Sequence, residues 1–232
     1  MDQMNFFDQV PKLRVRDPMA ELLGCAPGGE LEYSYADAVR LTGHSCPTVA
    51  AAYWLTWLSL GRLYPDGLPE RGGVRVEFQE GARAGSTGVV ASVVQLLTGA
   101  AGSTGFKGLA GRFNRAGLLR FSPDLPLSLR FTRLDNGDAV DAAADLSLAP
   151  ADPMLEPLLA RCVHGHGSAE ELERLAQLWQ ARVRMLLLDL AHDPVVFIVR
   201  PVERRGVKPL PRPFAERRGQ LREAPVGLQR RA

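Results

Sequence analysis

The chain is short of the features that most often announce a function. Cysteine occurs three times in 232 residues, at Cys25, Cys46 and Cys162, which excludes a small fold stapled by disulfides. Histidine occurs four times and aromatics make up 7%, so each candidate metal ligand can be weighed singly. No apolar run reaches the ~18 residues of a membrane span; the longest, Val49 to Leu60, is closed by Arg62. Met1 to Phe7 holds no charged segment leading into an apolar one, so no signal peptide is expected and the chain reads as cytoplasmic. A nucleophile elbow, an H-E-x-x-H helix and a Ser-His-Asp order are all missing. The glycine-rich stretch Thr98–Gly108 fails as a Walker loop: Phe106 separates Gly105 from Lys107, and Gly108 stands where Ser or Thr must hold magnesium.

What is present describes a globular chain. Hydrophobic residues make up 46% and charged residues 23%, enough for a sizeable core. The net charge of +2 hides an asymmetry. From Arg200 onward there are ten Lys/Arg and three Asp/Glu, a net of +7, while the preceding part carries 18 basic and 23 acidic residues, a net of −5. Five prolines and no apolar period mark 200–232 as a basic, mobile tail behind a domain of residues 1–199. Such a tail suits an acidic protein partner; its interleaved glutamates argue against nucleic acid.

The periodicities predict an α+β fold, an antiparallel or mixed sheet with helices packed mainly on one face. Residues 1–16 read as an extended lead-in. Asp17-Pro18 caps a short helix. Leu31, Tyr33 and Tyr35 alternate as a strand, and Ala36 to Leu41 form a helical turn or two. Helices are expected from Pro47 to about Leu63, apolar almost all round, and over Val89–Leu97. Strands are expected at Val74–Phe78, Leu118–Phe121, Leu127–Arg133 and Ala139–Leu146, with Asp135-Asn136-Gly137 turning the last hairpin. Asp152 opens a short helix to Cys162. Ser168-Ala169-Glu170-Glu171 is a capping box before the stripe Leu172, Leu175, Trp179, Val183, Leu186 and Leu190. Pro194–Val199 reads as a final strand.

Thr42-Gly43-His44-Ser45-Cys46-Pro47-Thr48 organises the rest. Imidazole and thiolate are the donors for zinc and other borderline-soft metals, and Pro47 suits the first position of a helix. His44 and Cys46 are therefore placed in a loop at a buried helix N-terminus, whose positive end favours a thiolate. Cys162-Val163-His164-Gly165-His166 is a second, weaker metal-like cluster. His192 is placed at a helix C-terminus, favoured by the dipole. Lys107, Arg112 and Arg115 beside the glycines are either a solvated face or a site for a small anionic ligand.

Two segments resemble the FmdE family, named for a component of formylmethanofuran dehydrogenase. Gly43-His44-Ser45-Cys46-Pro47 before an apolar helix is similar to its H-G-H-x-C-P-G motif. Val93-Val94-Gln95-Leu96-Leu97-Thr98-Gly99-Ala100 is similar to its helix ending in L-T-G-C-T. The likeness spans roughly residues 35–145. It implies an α+β domain with a metal site, zinc or another divalent transition metal, held by His44 and Cys46. Thr42 stands where the family has its first histidine and Ala100 where it has a second cysteine, so two donors are missing. The C-x-x-C zinc ribbon of longer members is replaced by the basic tail. The namesake reaction belongs to a molybdenum or tungsten enzyme in which this component is not catalytic, so the likeness implies no particular activity.

Three functions follow. The first is a metal-binding accessory protein or an enzyme of unassigned reaction. Water or a small ligand then completes the metal, with Thr98, Gly99, Gly105, Lys107 and Arg112 lining the ligand site against the motif loop. The second is a metal-free interaction module acting through the tail. The third is a thiol-redox protein using Cys46. A homo-oligomer is open in each case.

Overall fold

The computed structural model describes residues 2–121 and 124–203, with side chains from Phe6 onward; the expected mobile tail falls largely on 204–232, outside the described residues. The fold is α+β, with a two-stranded antiparallel sheet and a five-stranded mixed sheet.

The lead-in is not extended. Asp2–Gln9 winds into a 3-10 helix, because Phe6 and Val10 have a core to enter and Phe7 packs edge-on against Tyr35 at 4.9 Å. Strand β1 (Leu13–Arg16) follows and pairs with β2 (Glu30–Tyr33). Between them α1 (Pro18–Leu22) starts where Asp17 accepts the N–H groups of Met19 and Ala20. Tyr35 is not in the strand: it begins α2 (Tyr35–Thr42), which Gly43 ends in the left-handed region at φ 77°.

Helix α3 (Pro47–Leu63) has the predicted bounds, with eleven buried residues. It lies against the large sheet, beside α4 (Thr87–Thr98). That sheet runs β4 (Leu119–Phe121), β3 (Val74–Phe78), β5 (Leu129–Arg133), β6 (Ala139–Ala144) and β7 (Phe197–Pro201) in spatial order; β3 and β4 are parallel and the other pairs antiparallel. Val74, Val76, Phe78, Leu129 and Phe131 are buried in the core. Period-2 alternation places charge on the other face. The register there runs Arg120, Glu77, Arg130, Asp141, Arg200 across all five strands, and Arg130 grips Asp141 by two bonds of 2.6 and 2.9 Å. The last strand begins at Phe197 instead of Pro194 and runs to Pro201, past the expected Val199, with the Val202 N–H bonded to the Ala139 carbonyl at 2.9 Å.

Helices α5 (Leu155–Val163) and α6 (Ala169–Arg184) form a hairpin. The capping box is present: the Glu171 N–H donates to Ser168 Oγ and the Ser168 N–H to Glu171 Oε2. The helix then widens into a π turn, Met185–Asp189. The apolar stripe is buried at Val183 and Leu186, while Leu172 is 52% exposed. His192 lies two residues beyond Leu190, the C-cap of the π turn, and edge-on to Trp54 at 5.5 Å.

Candidate functional site

The motif loop is held from two sides. Ser45 Oγ donates to Gln180 Oε1 at 2.9 Å, so the Tyr35 hydroxyl, 2.9 Å away, is the donor to Ser45 Oγ. Burial raises the Tyr35 pKa above its ordinary value and keeps that donor protonated. The Ser45 carbonyl accepts from Trp179 Nε1 at 2.9 Å and Gln180 Nε2 at 3.3 Å. Tyr35, Trp179 and Gln180 lie 10 to 135 positions away in sequence; no local pattern points to them.

His44 is exposed. Its Nδ1 sits 2.9 Å from the Thr42 carbonyl, which can only accept, so Nδ1 carries a proton and, in the neutral ring, the lone pair falls on Nε2, open to solvent or a metal. Cys46 is buried, 8% exposed. Its sulfur accepts the Val49 N–H at 3.5 Å as the N-cap of α3. Among the described residues no three His, Cys, Asp or Glu side chains converge as a metal group. A resident zinc takes three or four protein donors, so His44 fits as a ligand but the donor set falls short of a zinc centre.

The second cluster does not fill the gap. His164 and His166, their rings 6.5 Å apart, lie in the turn before α6. The motif loop touches α6 at Trp179 and Gln180, about 15 Å further along a helix rising 1.5 Å per residue.

Thr98, Gly99 and Gly105 are not beside the motif loop. Arg133, opposite Val74 at one end of the sheet, donates to the Leu63 carbonyl at 2.8 Å and so marks where α3 ends. The Gly72 N–H, close by in the chain, donates to the Thr98 carbonyl at 2.7 Å. The glycine loop is therefore at the C-terminal end of α3, and His44 and Cys46 at the other, about 24 Å away along 17 helical residues. The glycines admit the chain's own groups. A Cβ on Gly99 would lie 2.3 Å from Arg115 Nη1, and one on Gly105 2.4 Å from Ala101 Cβ.

Arg115, expected with Lys107 and Arg112 as a basic patch, is buried with side-chain exposure 7%. It donates to Asp17 Oδ1 at 2.8 Å, while Arg71 donates to Asp17 Oδ2 at 3.1 Å. Burial works against the charge on Asp17, but Arg115, Arg71 and two backbone N–H groups outweigh it and hold its carboxyl below the ordinary 3.8. Lys107 and Arg112 are exposed, with Arg112 lying over the Phe113 ring at 4.7 Å.

The pocket lies at the other end of α3. A half-open cleft of about 240 Å³ lies where the first turns of α3 and α4 meet the ends of β3, β5 and β6. Thr48, Gln79, Glu80, Ser86, Thr87 and Ser128 supply polar groups, and Ala51, Ala52, Leu55, Phe78 and Val90 apolar wall. The Thr87 hydroxyl donates to Glu80 Oε2 at 3.1 Å. Neither helix starts on an oxygen side-chain cap: Cys46 offers a sulfur to the Val49 N–H, and Ser86 makes no side-chain cap bond, the Thr87 and Val89 N–H groups going to the Ala84 and Ser86 carbonyls. Sequence reasoning missed this site; the Ser86-Thr87 start of α4 was the one available signal.

The chain matches no protein-family model and no curated protein. Among the described residues no helix is long and apolar enough to cross a membrane.

Proposed function

We propose that this chain binds a small polar molecule bearing a carboxylate or phosphate, in the pocket at the N-termini of α3 and α4. The observation that supports this most is the meeting of two helix starts, neither with an oxygen side-chain cap, on one half-open cleft. Helix N-termini present free N–H groups and positive dipole ends to an anion. Glu80 and its Thr87 donor suit a hydroxyl or amine elsewhere on the same molecule, and the apolar wall its carbon frame. The α+β domain with a motif loop at the start of a buried helix is the plan that the FmdE resemblance implies, and we place the chain there as an accessory, ligand-binding member.

The proposal is tested by thermal unfolding against a panel of small carboxylates and phosphates. A ligand at 100 times its Kd stabilises by about 2.7 kcal/mol, a shift of several degrees, and Thr48→Phe, which fills the mouth, abolishes it. A panel that leaves the midpoint unmoved overturns the reading.

A metal at His44 is a second reading, favoured by the Nδ1 bond that frees Nε2. With Cys46 as the other donor, zinc or a similar ion would be loosely held and exchangeable, its remaining positions going to water or ligand. Metal content of the purified protein should fall in His44→Ala and in Cys46→Ala; equal content in all three removes the metal.

A further inference from the structure

The α5–α6 hairpin carries an apolar groove that the described body of the molecule does not cover. Leu159, Leu172, Leu175, Ala176 and Trp179 line about 270 Å³, with Gln180 adding a polar edge. These α6 positions are the N-terminal half of the stripe whose other half, Val183 and Leu186, is buried. A stripe this continuous, buried at one end and open at the other, is a face that expects a partner.

The charges on α6 indicate which partner. Its first turn carries Glu170 and Glu171, with Glu173 next, and its last turn carries Arg182 and Arg184; within the chain Glu171 also pairs with Arg161 and Arg184 with Asp189. No acidic residue lies between Arg174 and Leu188. A second α6 laid antiparallel along the groove sets each acidic half against the other copy's basic half, and the two helix dipoles oppose. The pairing repeats identically on both sides of a twofold axis, as a homodimer requires. Ala176, small and exposed, falls near that axis and permits close approach.

We propose that α6 pairs with α6 of a second copy in an antiparallel, twofold-symmetric dimer centred near Leu175 and Ala176. Trp179 and Gln180, which hold the Ser45 carbonyl, lie at the edge of this contact, so the dimer abuts the motif loop. The dimer does not depend on the ligand proposed for the pocket.

Sedimentation velocity on the full chain across a concentration series tests it. The expected result is a monomer–dimer equilibrium in which Leu172→Glu raises the dimer dissociation constant about a hundredfold or more, because symmetry buries the new carboxylate twice. Leu172 is 52% exposed, so the circular dichroism and melting of this variant should match the parent. Ala176→Cys, with Cys25 and Cys162 changed to Ser, should cross-link under mild oxidation. Four results would each overturn the proposal: a monomer throughout, a dimer indifferent to Leu172→Glu, no cross-link, or a dimer lost when the chain stops at Glu203, since the tail would then be the contact.

Discussion

The two ends of α3 treat charge in opposite ways. At the C-terminal end Asp17, Arg71 and Arg115 meet over Gly72 and Gly99, and the chain's own groups occupy the space each glycine leaves. At the N-terminal end a pocket of about 240 Å³ is ringed by hydroxyls, an amide, one carboxylate and two helix starts, with no arginine or lysine lining it among the described residues. Cations close the first end; two helix starts border the second. A buried guanidinium is therefore no mark of an anion site here. Its partner is already in the chain, whereas neither α3 nor α4 starts on an oxygen side-chain cap.

The sharpest way to break this contrast is to remove the carboxylate that closes the sealed end. Asp17→Ala leaves two guanidiniums facing each other in a low-dielectric setting and uncaps α1; loss of one partner of a buried pair costs about 3–5 kcal/mol. Urea unfolding should show this, and a cost below about 1 kcal/mol would mean that the cluster is not what holds β1, α1 and the glycine loop together. Acid probes the same contact. Because the folded Asp17 titrates below 3.8, the unfolded chain binds the proton first. The stability from Asp17 is present above about pH 4 and is lost as pH falls through its folded pKa. Asp17→Asn should flatten the acid limb of the stability curve.

Gly99→Ala comes next. It places a Cβ 2.3 Å from Arg115 Nη1 at a backbone φ of 70°, and a cost of about 1–3 kcal/mol is expected. At the open end the effects are smaller. Cys46→Ala removes the cap of α3 and should cost about 1 kcal/mol, whereas Cys46→Ser, which keeps an acceptor at the cap, should restore it. If Cys46→Ala cost as much as Asp17→Ala, the two ends would not differ as described.

Most of the elements could be read from local pattern. The bounds of α3 follow from Pro47 and the apolar run, and the start of α6 from its capping box. What escaped depended on distant contacts. Tyr35 alternates with Leu31 and Tyr33 as a strand residue would, yet it begins a helix and is fully buried. Arg115 looked like a member of a surface patch because Asp17, its partner, is 98 residues away. The motif loop and the glycine loop are expected to touch because the FmdE pattern has a cysteine where the glycine loop begins, at Ala100, but each borders a different end of α3. The pocket escaped because it is built from single polar residues on several elements, none of which forms a motif by itself.

The most direct measurement is the ¹⁵N amide spectrum of the full chain titrated with a small carboxylate or phosphate that raises the melting point. The account predicts that the largest shifts fall on Thr48, Val49, Thr87 and Gly88, in the first turns of α3 and α4, while Gly72, Gly99 and Arg115 stay in place. Shifts centred on Gly99, Lys107, Arg112 and Arg115, with the helix starts unmoved, would contradict it.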